Sequence, residues 1–234
     1  LNFDVLPQQD DEEYCGERAD FNCSFIDGLL TIDSDTSSQY TINDSILKNK
    51  DGLNLTSNIT DIVIRGKNVK SIIIEDFTFQ YCSNLTTIEL PDCNISIGAS
   101  AFKYCRSLDN ITFPKNIIIK DSAFRYCSSL AEISFIGDVD LIGDSAFQSC
   151  SSLNNATFLG NLTSIGDSAF QYCYNLIEIT FTGDVGSIGG YAFQSCSSLN
   201  NVTFLGNLTS IGYCAFEYCY NLIEITFTGD VGSI

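Results

Sequence analysis

Apolar residues return along this chain at a nearly fixed interval. Successive cysteines of a Phe-x-x-Cys pattern are separated by 23, 22, 23, 23, 23 and 23 residues. After each cysteine, apolar and polar residues alternate, as in Glu178, Ile179, Thr180 and Phe181. This period of two indicates a strand with one buried face. A unit this short cannot bury its apolar side alone, so we expect the units to stack as coils of a solenoid that shares a parallel sheet.

The seven cysteines that share this position are Cys82, Cys105, Cys127, Cys150, Cys173, Cys196 and Cys219. The Phe-x-x-Cys-x-x-Leu stretch around each has apolar residues at i, i+3 and i+6, which predicts a short helical or 3-10 segment on the convex side. Between the strand and this segment lie the loop glycines Gly160, Gly183, Gly206 and Gly229. We expect these glycines to form turns that need a positive φ.

The pattern changes along the chain and predicts three parts. Residues 1–20 carry many acidic groups and are expected to form an extended leader. Residues 21–58 alternate apolar and polar residues around Asp, Ser and Gly, which predicts an N-terminal cap built on a β-hairpin. Residues 59–234 form the solenoid, with one degenerate unit followed by seven units. The chain ends inside the seventh unit without a polar closing cap, which favours a processed or truncated ectodomain.

The net charge of −18 argues against nucleic acid, whose phosphates require a basic surface. Every Lys and Arg lies at or before Arg125, whereas residues 126–234 carry ten carboxylates and no cation. The acidic half either keeps a long surface soluble or selects partners electrostatically. No run of about 18 apolar residues is present, so we expect no direct membrane insertion in this segment.

Catalysis and metal binding find little support in the sequence. The chain has no His, which excludes Ser-His and Cys-His pairs, and it has no C-x-x-C pair. We therefore expect no enzyme activity, no metal and no cofactor. The repeated cysteines are expected to pack as small buried hydrophobes. Cys15 and Cys23, close together in sequence, are candidates for a disulfide.

Eleven N-x-S/T sequons occur, and in a secreted eukaryotic protein some would be glycosylated. The candidate glycosylation sites are Asn22, Asn43, Asn54, Asn58, Asn84, Asn94, Asn161 and Asn207. The other three sequons, at Asn110, Asn155 and Asn201, lie in predicted strands.

Polar residues between the buried strand positions form two predicted columns on the open face of the sheet. The candidate binding face consists of Thr87, Asn110, Thr112, Glu132, Ser134, Asn155, Thr157, Glu178, Thr180, Asn201, Thr203, Glu224 and Thr226. These residues either satisfy strand propensity and keep the face wet or form a recognition surface. A glycan on one of the three strand sequons would block that surface.

On the other side of each coil, a partly exposed tyrosine set is predicted. It consists of Tyr81, Tyr104, Tyr126, Tyr172, Tyr174, Tyr218 and Tyr220. Tyrosine is enriched at protein interfaces, but it also covers the ends of helical segments.

The stretch SIGDSAFQYCYNLIEITF at Ser164–Phe181 resembles the BspA-like leucine-rich repeats, a 23-residue class of surface proteins in oral bacteria and mucosal protozoa such as trichomonads. The matching residues are Ile165, Gly166, Ala169, Phe170, Cys173, Leu176 and Ile179. The resemblance implies an α/β solenoid, a leucine-rich repeat horseshoe with the parallel sheet on its concave face. It also implies an extracellular or cell-surface adhesin that binds a protein or glycoprotein on host cells, matrix or other microbes. A structural spacer or self-associating coat component is the alternative.

Overall fold

The computed structural model describes residues 13–14, 22–34, 39–47, 55–66 and 68–233, which form three sheets and one 3-10 helix at Asp44–Leu47. The cap sheet has the order β1 (Glu13–Tyr14), β2 (Asn22–Ile26), β3 (Leu29–Ser34), β5 (Asp61–Gly66) and β7 (Thr87–Glu89). The front sheet contains β9 (Asn110–Phe113), β11 (Glu132–Phe135), β13 (Asn155–Phe158), β15 (Glu178–Phe181), β17 (Asn201–Phe204) and β19 (Glu224–Phe227). The back sheet contains β4 (Tyr40–Ile42), β6 (Ser71–Ile74), β8 (Asn94–Ile97), β10 (Ile117–Ile119), β12 (Val139–Ile142), β14 (Leu162–Ile165), β16 (Val185–Ile188), β18 (Leu208–Ile211) and β20 (Val231–Ser233).

Each coil runs from a front strand through a corner to a back strand and returns through a turn segment. In one coil, β13 and β14 are followed by the turn segment 166–177, which leads into β15. Neighbouring strands of the front sheet and of the back sheet pair in parallel, one coil apart. The predicted parallel-strand solenoid is therefore confirmed.

Two columns of phenylalanine fill the interior between the sheets and the turn segments. Phe147 and Phe170, from consecutive turn segments, stack with ring centroids 5.1 Å apart. Phe158 and Phe181, from consecutive front strands, stack at 4.9 Å. All four are at most 1% exposed. Because each ring contacts its copy in the next coil, every coil must return its phenylalanines to the same place in the stack, including the 22-residue coil in which Phe102 and Phe124 stack at 5.1 Å.

The predicted helical segments are wrong, since the turn segments in the described ranges are chains of turns. In a helix each N–H would bond within its own segment. Here the N–H groups of Ser168 and Phe170 donate to carbonyls of the next coil, Gly190 and Ala192, at 2.9 and 2.7 Å. Ser168 and Tyr172 also have positive φ angles of 57° and 64°, which interrupt a right-handed helix. In the part of the chain that the structure describes, the fold is thus a β-solenoid without the expected α-helical segments.

The predicted reason for the loop glycines is also wrong. Gly160 has no positive φ, and among the described glycines that conformation occurs at Gly28. A Cβ on Gly160 would instead lie 2.5 Å from the carbonyl oxygen of Gly137 in the preceding coil. Glycine is needed at this corner because consecutive backbones approach each other too closely for a side chain.

The predicted N-terminal hairpin is present. β2 and β3 pair antiparallel across Asp27 and Gly28, whose φ angles of 48° and 87° suit a tight hairpin turn. β3 also pairs in parallel with β5, so the hairpin joins directly to the first coil. The division into leader, cap and solenoid at residues 20 and 58 stays a prediction. Across the described ranges, no helix is long and apolar enough to cross a membrane.

Candidate interaction face

The front sheet exposes one column in which Asn and Glu alternate. Its members are Asn110, Glu132, Asn155, Glu178, Asn201 and Glu224, all exposed. Each residue lies directly opposite the next in the parallel register, as Glu178 does with Asn155 and Asn201. Because adjacent strands are about 4.8 Å apart, the alternation places successive carboxylates about 10 Å apart, with a neutral amide between them. The predicted column is therefore a continuous polar row.

A second column of hydroxyl side chains runs beside the first. It contains Thr112, Ser134, Thr157, Thr180, Thr203 and Thr226, which are exposed or partly exposed. Thr157 and Thr180 lie opposite each other, as do Thr180 and Thr203. Together the two columns form the front face, which offers regularly spaced hydrogen-bond donors and acceptors.

Thr87 is placed differently from the other predicted face residues. It belongs to β7 of the cap sheet, and its hydroxyl donates to the Asp61 carboxylate. This bond lowers the pKa of Asp61. Between β7 and the front sheet lies a groove of about 380 Å³, lined by Ile88, Glu89, Leu90, Asn110, Thr112 and Pro114. The front face therefore begins with an open depression lined by both apolar and polar side chains.

The carboxylates of the front face have no cationic partner within the described part of the chain. The ion pairs found there are Lys115 with Asp92 at 3.6 Å and Lys120 with Asp76 at 3.9 Å. Neither involves Glu132, Glu178 or Glu224. Their charge is directed at solvent and is free to select a basic partner.

A column of thiols, buried except for the partly buried Cys219, holds the coils in register behind the front face. Seven cysteines share one repeat position, and the thiol of each from Cys105 onwards donates to the carbonyl of the Phe in the preceding coil, at 3.1 to 3.3 Å. Burial raises the pKa of Cys82 to about 12 and that of Cys219 to about 11. It also raises the pKa of Cys173 well above 9.0. The column is thus uncharged at neutral pH, and its thiols serve as hydrogen-bond donors.

Side-chain oxygens at the corner between front and back strands form a second ladder. Asn116, Asp138, Asn161, Asp184 and Asn207 each accept the N–H of the equivalent residue in the next coil, at 2.8 to 3.3 Å. Asn and Asp can both occupy this position because both carry the accepting oxygen. Sequence reasoning missed this ladder and interpreted Asn161 and Asn207 only as sequons.

The remaining predicted sequons fall at several kinds of position. Asn22, Asn58, Asn84 and Asn94 are exposed, and Asn43 is partly exposed. Asn54 lies outside the described residues. Asn110, Asn155 and Asn201 stand on the front face itself. Glycan occupancy at all of them stays a prediction.

The predicted disulfide is partly visible. Cys23 is disulfide-bonded, and its predicted partner Cys15 lies outside the described residues. The pairing therefore stays a prediction. Among the described residues, no cluster of His, Cys, Asp and Glu could hold a metal ion.

The tyrosine set lies along the turn segments, and we call this surface the turn face. Tyr81, Tyr104 and Tyr126 stack with centroids 5.0 and 4.9 Å apart. The stack ends at the next coil, where Ser149 replaces tyrosine. Further along the chain, Tyr172 packs against Tyr174 and Tyr218 packs against Tyr220, with ring centroids 5.9 Å apart in each pair. The set was predicted, but its division into one stack of three rings and two separate pairs was not.

The comparisons with known proteins agree with this architecture. The BspA type leucine rich repeat region, in six copies, matches residues 49–177 and 117–234 of this chain. No curated protein matches the chain.

Solved structures of bacterial leucine-rich repeat proteins are similar to this chain at low sequence identity. One from T. pallidum is 18% identical with a TM-score of 0.49, over 88% of this chain and 90% of that chain. One from Bacteroides ovatus is 20% identical with a TM-score of 0.38, over 89% and 81%. A leucine rich cell surface protein from Faecalibacterium prausnitzii is 16% identical with a TM-score of 0.42, over 92% and 94%. The family match spans well over half of the sequence, and the chain belongs to the family of BspA-type leucine-rich repeat proteins.

Proposed function

We propose that this chain is a non-catalytic, adhesin-like binding module that attaches to a protein or glycoprotein of host cells or matrix through its front face. Leucine-rich repeat solenoids commonly mediate protein interactions through an extended surface. The observation that carries the proposal is the in-register Asn and Glu column, whose carboxylates have no cationic partner in the described chain. Packing of the core does not explain why Asn and Glu occupy these positions, because their side chains are exposed.

The front face favours a partner with a basic surface. Carboxylates spaced about 10 Å apart attract Lys and Arg side chains, while the intervening amides and the hydroxyl column supply neutral hydrogen bonds. The groove between β7 and β9 adds apolar surface from Ile88, Leu90 and Pro114. This depression would accept an apolar anchor of the partner, which is where binding energy concentrates in protein interfaces.

An extracellular or cell-surface location supports this role. Cys23 is disulfide-bonded, and disulfides persist chiefly in oxidising compartments. The sequons agree with passage through a secretory pathway. The family resemblance to surface proteins points in the same direction.

The test compares attachment of two charge-reversed variants with that of the original chain, on epithelial cells and on immobilised matrix proteins. Glu132→Lys, Glu178→Lys and Glu224→Lys together should weaken attachment at least about tenfold, because they reverse the charge of the binding column. The matched control carries Asp44→Lys, Glu75→Lys and Asp140→Lys, the same charge change at exposed positions off the front face, and should attach like the original. Equal attachment of the front-face variant would move the binding site elsewhere.

A further inference from the structure

The turn face carries tyrosines beside three cations at one end and tyrosines beside one carboxylate at the other. The cationic tyrosine patch consists of Tyr81, Lys103, Tyr104, Arg106, Arg125 and Tyr126. The anionic tyrosine patch consists of Tyr172, Tyr174, Glu217, Tyr218 and Tyr220. Neither patch is needed for the front face, which lies on another side of each coil.

The cations of the first patch are held against aromatic rings and not against carboxylates. Lys103 Nζ lies 5.5 Å from the centre of the Tyr104 ring, and Arg106 Cζ lies 5.6 Å from it. Arg125 Cζ lies 4.9 Å from the Tyr126 ring. None of the three forms an ion pair within the described ranges. In a chain of net charge −18, these charges remain available to an acidic partner.

The second patch has the complementary character. Glu217 accepts a hydrogen bond from the Gln194 side chain, and among the described residues it forms no ion pair. Tyr218 and Tyr220 next to it are 50% and 78% exposed. No Lys or Arg occurs in residues 126–234, and no cation elsewhere in the described ranges forms an ion pair with this end of the turn face.

The two patches lie on one face. Tyr104 and Tyr218 are five coils apart, which corresponds to about 24 Å at the usual strand spacing. A two-fold axis perpendicular to the middle of the turn face therefore brings the cationic patch of each copy onto the anionic patch of the other, so that the dimer contains this contact twice. Such a self-complementary contact closes on itself as a dimer. Tyr and Arg are the residue types that contribute most at protein interfaces.

We propose that the partner of the turn face is a second copy of this chain, packed antiparallel across it. The surface is only one turn segment wide and about 30 Å long, well under the area of a standard interface, so the dimer is weak and sensitive to salt. The front face of each copy stays free in this arrangement. The inference is independent of the proposed function, since it uses a different surface and different residues.

The test is sedimentation equilibrium of the full chain over a range of protein and salt concentrations. The original chain should form a dimer whose dissociation constant rises at least about tenfold between about 0.05 M and about 0.5 M salt. Arg106→Glu, at an exposed position, and Glu217→Lys should each weaken the dimer at least about tenfold. Lys70→Glu with Lys115→Glu, a control at exposed lysines off the turn face, should leave it unchanged.

The charge-swapped chain, with Arg106→Glu and Glu217→Lys together, should recover dimerisation, because each copy again presents opposite charges. Circular dichroism of each variant should match that of the original chain and so show that the fold is intact. A chain that stays monomeric in low salt overturns the proposal. The proposal is also overturned if Arg106→Glu leaves the dimer intact, or if the charge-swapped chain dimerises more weakly than both single variants.

Discussion

The thiol of Cys150 donates a hydrogen bond of 3.2 Å to the carbonyl oxygen of Phe124 in the preceding coil. The same carbonyl accepts the N–H of Cys127 in its own coil at 3.1 Å. Cys150 therefore links the backbones of two coils and also fills a buried position of small volume. Cysteine suits this position because it is nearly apolar and still carries a donor.

Replacing this thiol should destabilise the stack. Cys150→Ala removes a buried sulfur and an inter-coil hydrogen bond, and we expect the free energy of unfolding to fall by about 2 kcal/mol. Cys214→Ala is the matched control, because Cys214 is only partly buried and lies outside the thiol column. The control should change the free energy by less than about 0.5 kcal/mol. Chemical denaturation of both variants at neutral pH measures the difference, and equal losses would contradict a structural role for the column.

The thiol column should also make the fold sensitive to alkaline pH. Burial raises the pKa of Cys82 to about 12 and that of Cys219 to about 11, from an ordinary value of 9.0. Above pH 9 the unfolded chain therefore loses thiol protons that the folded chain keeps, so stability is full below pH 9 and falls as the pH rises towards 11. Each such thiol contributes a slope of about 1.4 kcal/mol per pH unit.

Denaturation midpoints at several pH values between about 8 and about 11 measure this effect. Cys150→Ala should make the fall shallower, because one raised thiol pKa is removed. A stability that is constant across this range, or one that rises, would contradict burial of the protonated thiols.

The corner ladder predicts that Asn and Asp are interchangeable at position 161. Asn161 Oδ1 accepts the N–H of Asp184 at 3.0 Å, and Asp138 Oδ1 accepts the N–H of Asn161 at 2.8 Å. Asn161→Asp keeps the accepting oxygen and should change the free energy of unfolding of unglycosylated chain by less than about 0.5 kcal/mol. Asn161→Ala leaves the Asp184 N–H without its partner and should cost about 1 kcal/mol. Similar losses for both substitutions would show that the ladder contributes nothing.

Close packing of the corners predicts different tolerance at two glycines. A Cβ at Gly160 would lie 2.5 Å from the Gly137 carbonyl oxygen, whereas at Gly190 the nearest atom would be 3.3 Å away. Gly160→Ala should therefore destabilise the chain by about 1 to 3 kcal/mol, as overpacking does. Gly190→Ala should be nearly neutral, because a smaller adjustment is offset by the lower entropy of the unfolded chain. Thermal unfolding of the two variants measures the contrast, and a larger loss at Gly190 would contradict it.

The strands and the stacking were predictable because the repeat copies them at a fixed interval. The turn segments were not, although the sequence held a clue. Phe170, Cys173 and Leu176 are spaced by exact threes, and this spacing drifts away from the face of an α-helix of 3.6 residues per turn. The sequence gives no indication of the positive φ angles at Ser168 and Tyr172, because serine and tyrosine have no special preference for that conformation.

The front face was predictable for a related reason. One-residue alternation fixes which side chains point outwards, and the repeat places Glu178 beside Asn155 and Asn201. The corner ladder was hidden because its Asn residues coincide with sequons and its Asp residues look like ordinary surface charge. The opposite charges of the two tyrosine patches depend on which side chains share a face across coils, such as Glu217 and Tyr218, which sequence spacing alone does not give.

We propose that the front face makes the contact with the partner, so its carboxylates should become inaccessible on attachment. Chemical labelling of carboxyl groups followed by mass spectrometry measures this, with the chain free and with the chain attached to cells or matrix protein. We predict that Glu132, Glu178 and Glu224 lose labelling on attachment, while Asp140 in the back sheet is labelled equally in both states. Unchanged labelling of the three glutamates in attached chain would contradict the account.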